Sequence, residues 1–493
     1  MADFAESNAS EFELLEFELP EFELPEFDLP EFDFSAFDLD ADRVFNPEFF
    51  KGYSRRRLKA AIALSFLWIL TAVLHFVSWG HEFVLVITAI MAVHALRVIF
   101  ATPHPAPEPL PSFQSLQAAA PSPAVVQSVD TTNWPYVSLL VAAKNEEGVI
   151  GKLVDNLLHL DYPKDRYDLW FIDDYSTDET PEILDELAAK EPRLNVIHRG
   201  PDATGGKSGA LNLVWPQTKG DLLAVFDADA QVNADLLRHV VPMFDAAQGG
   251  QKTGAVQVRK AIANASTNFW TRGQKAEMAL DCYMQQRRIA VGGIGELRGN
   301  GQFVRRSAIA QCGGWNEETI TDDLDLTIQL HLNQWNIGLL FTPSVGEEGV
   351  TDAKALWHQR NRWAEGGFQR YLDYWRLLAK NRLGWAKSLD MTGFWIIQYM
   401  MPLVAMPDLL LALVRHQMPV YGPITMMAVA MSAIGMFTTL RQAEKMSVWS
   451  AAIQTVRGSL YMLHWLVVIG SMSIRIALRQ KRLKWVKTVH GTA

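Results

Sequence analysis

Five apolar runs limit what this chain can become. Two of them, from about Ala60 to Trp79 and from Phe83 to Phe100, are separated only by Gly80-His81-Glu82. Three more lie at about Met391 to Val414, Pro419 to Leu440 and about Leu460 to Ile474. A helix of roughly 20 apolar residues crosses a hydrocarbon core, so the first pair reads as a transmembrane hairpin within residues 51–100, and the competing reading is a buried hairpin in a soluble protein. Arg55-Arg56-Arg57 ahead of the pair and Arg97 at its end favour the cytoplasm. The chain beyond the pair is therefore expected to be cytoplasmic. The three later runs, within 391–478, create a parity problem, because three crossings would put the basic tail 479–493 outside, against the positive-inside tendency. Either one of them does not span, with the run broken by Pro402 and Pro407 as the candidate, or the tail breaks the rule.

Charge divides the chain further. The formal net charge of -10 hides an asymmetry, since residues 1–42 hold 15 of the 55 acidic groups and no Lys or Arg. The remainder carries 45 basic against 40 acidic residues, which suits an anionic membrane face and an anionic ligand. Within the acidic segment 1–50, Glu-Phe-Glu-Leu-Pro occurs at 16–20 and 21–25 and Glu-Phe-Asp-Leu-Pro at 26–30. The prolines forbid a long helix, so this is expected to be a disordered tail, either simply solvated or binding an unknown protein. It has no basic n-region or apolar h-region, so membrane entry is expected from an internal segment. Residues 101–134, rich in Pro, Ala and Ser, read as a linker. Cys282 and Cys312 are too few for a disulfide framework and read as reduced packing residues.

Between 135 and 365 the pattern changes to alternating strands and helices. Val137 to Ala142, Leu169 to Ile172, Leu222 to Phe226 and Gly254 to Val258 read as buried strands, and Val149 to Leu160 as a helix. Another helix is expected to begin with Thr180 as N-cap and Pro181 at its first position. Such alternation predicts an α/β domain with a mostly parallel sheet and a ligand beyond the carboxyl ends of its strands. Residues 366–390 mix Arg and Lys with Tyr371, Tyr374, Trp375 and Trp385 and suit helices lying in the membrane interface.

Acidic pairs sit at the expected strand ends, namely Asp173-Asp174 and Asp227-Ala228-Asp229. Two carboxylates one residue apart can bracket a hard divalent cation that also bridges to substrate phosphates, although an isolated Asp-x-Asp is common in surface loops. Four other stretches accompany it: Ala143-Lys144-Asn145-Glu146-Glu147, Gly205-Gly206-Lys207-Ser208-Gly209, Thr321-Asp322-Asp323 and Gln359-Arg360-Asn361-Arg362-Trp363.

In this order the motifs resemble those of the family 2 glycosyltransferases with the GT-A fold, and the flanking apolar helices resemble the membrane-integrated branch. That branch includes cellulose and hyaluronan synthases and cyanobacterial monoglucosyldiacylglycerol synthases. The resemblance implies a Rossmann-like cytoplasmic GT-A domain inserted between transmembrane helices. It implies that Asn145, Glu146, Asp173, Asp174, Lys207 and Arg362 bind a UDP-sugar, and that Asp227 and Asp229 hold Mg2+ or Mn2+. Asp323, with Asp322 beside it, matches the general base of an inverting transfer, although Asp322 stands where the family more often has Glu. Asp325 is read as a helix cap. Trp363, Gln359 and Asn300 match the acceptor side.

A processive polymer synthase needs a translocation pore and usually more helices than the four or five expected here. The helix count and the run from Trp134 through Glu147 look most like the cyanobacterial lipid enzymes. The expected reaction therefore moves glucose from UDP-glucose to diacylglycerol, drawn from the surrounding membrane lipids. The alternatives are a small processive polysaccharide synthase and, from another class, a non-catalytic membrane scaffold recruiting partners through its acidic repeats. No nucleic-acid partner is expected. The expected location is a multi-pass membrane protein with a cytoplasmic catalytic domain, in the plasma membrane or thylakoid if the source is cyanobacterial.

Overall fold

A computed structural model describes residues 52–115, 134–245 and 252–478. The acidic repeats, most of the Pro/Ala/Ser stretch and the basic tail lie outside the described residues. The central feature is a seven-stranded sheet formed by β1 (Val137–Ala143), β2 (Tyr167–Asp173), β3 (Leu194–His198), β4 (Leu222–Phe226), β5 (Thr253–Ile262), β6 (Gln302–Arg305) and β7 (Asn336–Glu347), in spatial order β3-β2-β1-β4-β6-β5-β7. The pairs β1–β2, β2–β3, β1–β4 and β5–β7 are parallel, and β6 runs antiparallel between β4 and β5. The expectation of a mostly parallel sheet therefore holds.

β1 and β4 are almost wholly buried because both sheet faces are covered, which is why they read as continuous apolar runs. Alternation decides which core each side chain joins. Val137, Leu139 and Val141 of β1 enter the core on one face, and Leu140 enters the core on the other. After β1 the chain builds outward through β2 and β3, then returns to place β4 on the opposite side of β1. That reversal is a topological switch point, and it opens a crevice beyond the carboxyl ends of β1 and β4.

One expected helix start shifts by a residue. Thr180 is the first residue of the helix Thr180–Ala188 rather than its cap. Its amide donates to Asp178 Oδ1 (3.1 Å) and its hydroxyl accepts from the Glu146 amide (2.7 Å), so the side chain ties two loops together instead of capping.

Helices Arg56–Phe76, Gly80–Ile99, Gly422–Gln442 and the continuous stretches Trp385–Val414 and Val448–Leu478 are each long and apolar enough to cross a membrane. Contacts divide their ends into two groups. At the sheet-domain end, Arg56 pairs with Asp373 (2.7 Å), Arg287 donates to the Ile99 carbonyl (2.6 Å), Lys387 donates to Asn336 (3.0 Å), and Glu444 pairs with Arg259 and Lys275. At the far end, His75 meets Asp408 (2.7 Å), His81 meets the Met418 carbonyl (3.1 Å), and Asp408 accepts from the Val420 and Tyr421 amides. Four segments thus run between the two ends.

The stretch Val448–Leu478 does not. It comprises the helices Val448–Met462 and His464–Leu478. Gln454 donates to the Arg272 carbonyl, Trp465 to Glu277 (2.8 Å) and Arg475 to Glu365 (2.8 Å), so it touches the sheet-domain side at its start, middle and end. Trp449, Ile453, Val456, Leu460, Leu463 and Val467 remain exposed along its other side, at the spacing of one helical stripe. That is the pattern of a helix lying along an apolar boundary. Both this last run and the one broken by Pro402 and Pro407 have the length and hydropathy of a span, and the contacts of Val448–Leu478 set it apart from the other four.

Within residues 366–390, expected as interface helices, Trp375 and Trp385 are exposed and the first part is buried. The helix Ala353–Ala379 continues straight through 365, and Phe368, Gln369, Arg370, Tyr371, Leu372, Asp373 and Tyr374 are buried in protein. Arg370 is there because Glu296, fully buried, accepts from Arg288 (3.2 Å), Arg298 (2.8 Å) and Arg370. Burial alone would raise the Glu296 carboxyl, but the three guanidinium groups hold it well below the carboxylate range.

This arrangement makes two outcomes testable. A single cysteine placed in the tail beyond Leu478 should be labelled by membrane-impermeant reagent from the same side as one on the exposed loop at Asp202; labelling from opposite sides would require a fifth crossing. Glu296→Gln leaves two buried cations and a partly buried one with one acceptor fewer, at a cost of about 3–5 kcal/mol, and should lower the thermal unfolding midpoint of the detergent-solubilised protein by several degrees.

Candidate active site

The loops that leave β1, β2 and β4 meet at the switch point. The amide of Asp174 donates to the Ala143 carbonyl (2.8 Å), the Lys144 ammonium to the Asp174 carbonyl (2.8 Å), and the Asn145 amide to Ser176 Oγ (2.8 Å). Asn145 adopts a positive φ of 56°, which suits its short polar side chain, and Asn145 Oδ1 accepts from the Thr177 amide (2.7 Å). Glu146 lines a large cavity that opens at this end of the sheet, whereas Asn145 is engaged in lacing the two loops.

The Asp173-Asp174 pair is split by the strand's alternation. Asp173 is buried and accepts from the Ser176 amide (3.1 Å) and meets His198 Nδ1 (3.2 Å), which joins β2 to β3. Asp174 faces the cavity and pairs with Arg199 (2.7 Å), which also donates to the Gly206 carbonyl (2.8 Å). The Gly-rich loop is thereby tied to the end of β2. Gly205 has φ 78°, and a Cβ there would collide with the Glu317 carboxylate, so the loop needs glycine at that point. It starts the helix Gly206–Val214, which presents Lys207.

Lys207 Nζ lies 2.5 Å from Asp227 Oδ1. Burial works against both charges. For Lys207 the carboxylates of Asp227, Asp322 and Asp323 outweigh it and raise the ammonium; for Asp227 the cations Lys207, Lys260 and Arg362 outweigh it and hold the carboxyl below its usual range. The Asp227 amide donates to Asn300 Oδ1 (3.2 Å), and Asp229 Oδ2 accepts from the Glu348 amide (2.9 Å). Asn300 is fully buried and is not among the residues that line the cavity, and its side chain fixes the end of β4.

Asp322 and Asp323 open the helix Asp322–Leu332, and both face the cavity. Burial, then the Asp322 charge beside it, pushes Asp323 up to about 6. The buried Asp322 Oδ2 has no hydrogen-bond partner among the described residues. Asp325 is turned away from the cavity and bound to Tyr374 (3.0 Å) and Gln329 (2.5 Å), so it does not cap the helix and does not join the site.

The Gln359 to Trp363 segment lies in the first half of Ala353–Ala379, with Gln359, Arg362 and Trp363 lining the cavity. The Arg360 guanidinium carbon stands 3.9 Å from the centroid of the Trp363 ring, so part of the indole surface expected to meet an acceptor is covered by protein. Arg360 is itself buried and anchored to Glu277 on the helix Phe269–Ala290.

Sequence reasoning missed Lys260, Glu347 and Arg298, all in the cavity wall. Lys260 pairs with Glu347 (2.8 Å) and lies near enough to Asp227 and Asp323 for their charges to raise it. It lies two residues past the expected end of β5 at Val258, on the carboxyl side where ligands gather, and that position was the available signal.

These groups surround one end of a cavity of ≈ 1880 Å³. Its other end is apolar and lined by the helices Gly80–Ile99, Trp385–Trp395, Gly422–Gln442 and His464–Leu478. Among the described residues, no group of three or more His, Cys, Asp or Glu side chains could hold a metal ion. The Asp227 and Asp229 pair nevertheless fits a cation of the Mg2+ or Mn2+ kind, which is commonly bound through one or two carboxylates plus substrate phosphates and water.

Comparison with known proteins agrees with this geometry. Residues 138–313 match Glycosyl transferase family 2. The β-monoglucosyldiacylglycerol synthase of Nostoc sp. is 56% identical over 90% of this chain and 90% of its own length, and that of Synechocystis sp. is 52% identical over 91% of each. A mannosyltransferase from Pyrobaculum calidifontis, solved in complex with GDP-Man and Mn2+, superposes with a TM-score of 0.52 at 17% identity, covering 84% of this chain and 100% of its own, and shares the fold. With its GT-A sheet, its motif carboxylates gathered at the switch point and its apolar helices on both sides, the chain belongs to glycosyl transferase family 2, alongside the cyanobacterial β-monoglucosyldiacylglycerol synthases.

Proposed function

We propose that this protein is an inverting glucosyltransferase that moves glucose from UDP-glucose to 1,2-diacylglycerol, making β-monoglucosyldiacylglycerol at the cytoplasmic face of its membrane. The observation that carries the reading is that one cavity joins a cluster of carboxylates and cations to the apolar flank of the membrane helices. Relatives of matching length are named for this product. The Arg55 to Arg57 cluster at the sheet-domain end supports the cytoplasmic orientation.

Asp323 is positioned to take the proton of the acceptor hydroxyl. As that oxygen attacks the anomeric carbon, the bond to the diphosphate breaks on the opposite side and UDP departs with the electron pair. Lys207, Lys260 and Arg362 are the cations that would meet the negative charge gathering on the leaving diphosphate. Asp227 and Asp229 would hold a divalent ion, which when bound supplies Lewis-acid stabilisation of the same charge. Glu146 and Asp174 lie on the donor side of the cavity, and Asp173 and Asn145 hold their loops in place. Gln359 and Trp363 form the wall on the acceptor side.

Two measurements test these roles. The base must be deprotonated, so kcat/KM should fall as pH drops through about 6, the value of the Asp323 carboxyl, and be flat above it. Asp323→Asn should lose roughly 100- to 10,000-fold. In Asp322→Asn the neighbouring negative charge is gone and the acidic limb should move to lower pH with turnover retained; loss of turnover there would instead make Asp322 the base. Chelation should abolish transfer, with recovery on adding Mg2+ or Mn2+, and Asp229→Asn should cost at least about 100-fold, the several kcal/mol of Lewis-acid stabilisation.

A further inference from the structure

The apolar end of the cavity has a depth and a floor. Its lining runs from Ile87 to Val98 on Gly80–Ile99, from Leu389 to Pro402 on the next segment, and from Thr425 to Met436 on Gly422–Gln442. At 1.5 Å per residue the first and last of these cover roughly 17 Å each. On Gly422–Gln442 the lining reaches Thr425, close to the far end of that helix, so the space extends past the middle of a ~30 Å hydrocarbon core. No lining residue comes from 76–86 or 403–424. There Val84, Val404, Val420, Tyr421 and Ile424 are buried in one packed cluster, with the His75–Asp408 pair beside them. The space is therefore blind on the far side, which a translocation pore is not.

It is open sideways. Ile90, Val93 and Val429 line the cavity and are 61%, 62% and 57% exposed, so its rim faces the surroundings of the helices. Its interior is rich in methionine, with Met91, Met427, Met431 and Met436 among the lining residues. Unbranched thioether chains adapt to flexible apolar occupants. The whole cavity also exceeds the ~300–1,000 Å³ typical of a single small-molecule site, so a nucleotide-sugar leaves most of the apolar end to be filled by something else.

We propose that this chamber holds the acyl chains of a two-chain glycerolipid that enters laterally from the near leaflet, and that its floor sets the enzyme's preference for chain length. The inference rests on the diacylglycerol reading and adds the site that selects among diacylglycerols. The lipid stands in the chamber with its hydroxyl toward Asp323, and chains longer than the chamber is deep must bend back toward the rim.

The test compares dihexanoylglycerol with dipalmitoylglycerol in mixed micelles. Ala428→Trp, which fills the chamber wall, should lower the ratio of kcat/KM for the long lipid over the short one at least tenfold, with UDP affinity by calorimetry reporting that the sheet domain is intact. An unchanged ratio in an enzyme that still binds UDP overturns the chamber. Wild-type protein that glucosylates neither lipid overturns the diacylglycerol reading itself, a distinct outcome. Because the tryptophan could prevent folding, wild-type protein is also photolabelled with a diacylglycerol carrying a diazirine at one acyl terminus. Label on peptides from the chamber lining, such as those holding Ile90, Ile397 or Met431, supports the chamber, and label confined to peptides outside that lining overturns it.

Discussion

The fully buried carboxylate of Glu296, shared by Arg288, Arg298 and Arg370, is the interaction on which the rest of the structure depends. Its three partners come from the helix Phe269–Ala290, the loop before β6 and the helix Ala353–Ala379. Arg288 also grips Asp390 (2.9 Å) on the helix Trp385–Trp395, which leads into the third membrane-length segment. A buried ion pair is poor evidence of net stability, since desolvation offsets much of its attraction. Its value here is geometric, because a charged group that cannot be left unpaired fixes the relative positions of three helices and one loop.

That loop connects the ionic cluster to the chemistry. From Glu296 it continues through Leu297, whose amide donates to Thr327 (2.9 Å), and Arg298, whose amide donates to Gln257 (2.7 Å), to Asn300, which accepts from the Asp227 amide. A single short segment thus relates the membrane helices to the carboxylate pair at the end of β4. On the opposite side, Glu277 accepts from Arg360, Tyr461 and Trp465, linking the Gln359 to Trp363 segment to the helix that lies along the apolar boundary. Enzymes that draw one substrate from water and the other from lipid need both halves held in register, and here the holding is done by buried charges rather than by loops.

The same arrangement sets one apolar stretch apart from the other four. Val448–Leu478 has the length and hydropathy of a span. It is nevertheless stitched to the sheet-domain side by polar contacts spaced along it, while one stripe of large apolar side chains faces outward. Mean hydropathy sums over all faces of a helix, and it cannot distinguish a helix surrounded by lipid from one with protein on one side and lipid on the other.

What the sequence determined by itself was local. Continuous apolar runs, two of them ending in acidic pairs, located β1, β2 and β4, because strands covered on both faces have no polar side to alternate with. The ordered motifs identified the family and much of the polar end of the cavity, since the residues of each motif act within a few positions of one another. Tertiary structure decided what depends on which way a side chain points and what meets it across long separations. It put Asp174 in the cavity and Asp173 behind it, turned Asn300 inward, covered part of Trp363 with Arg360 and brought Lys260 to Asp227. It also tied Val448–Leu478 to the sheet-domain side through partners such as Glu277 and Glu365, more than a hundred residues away from the helix they hold.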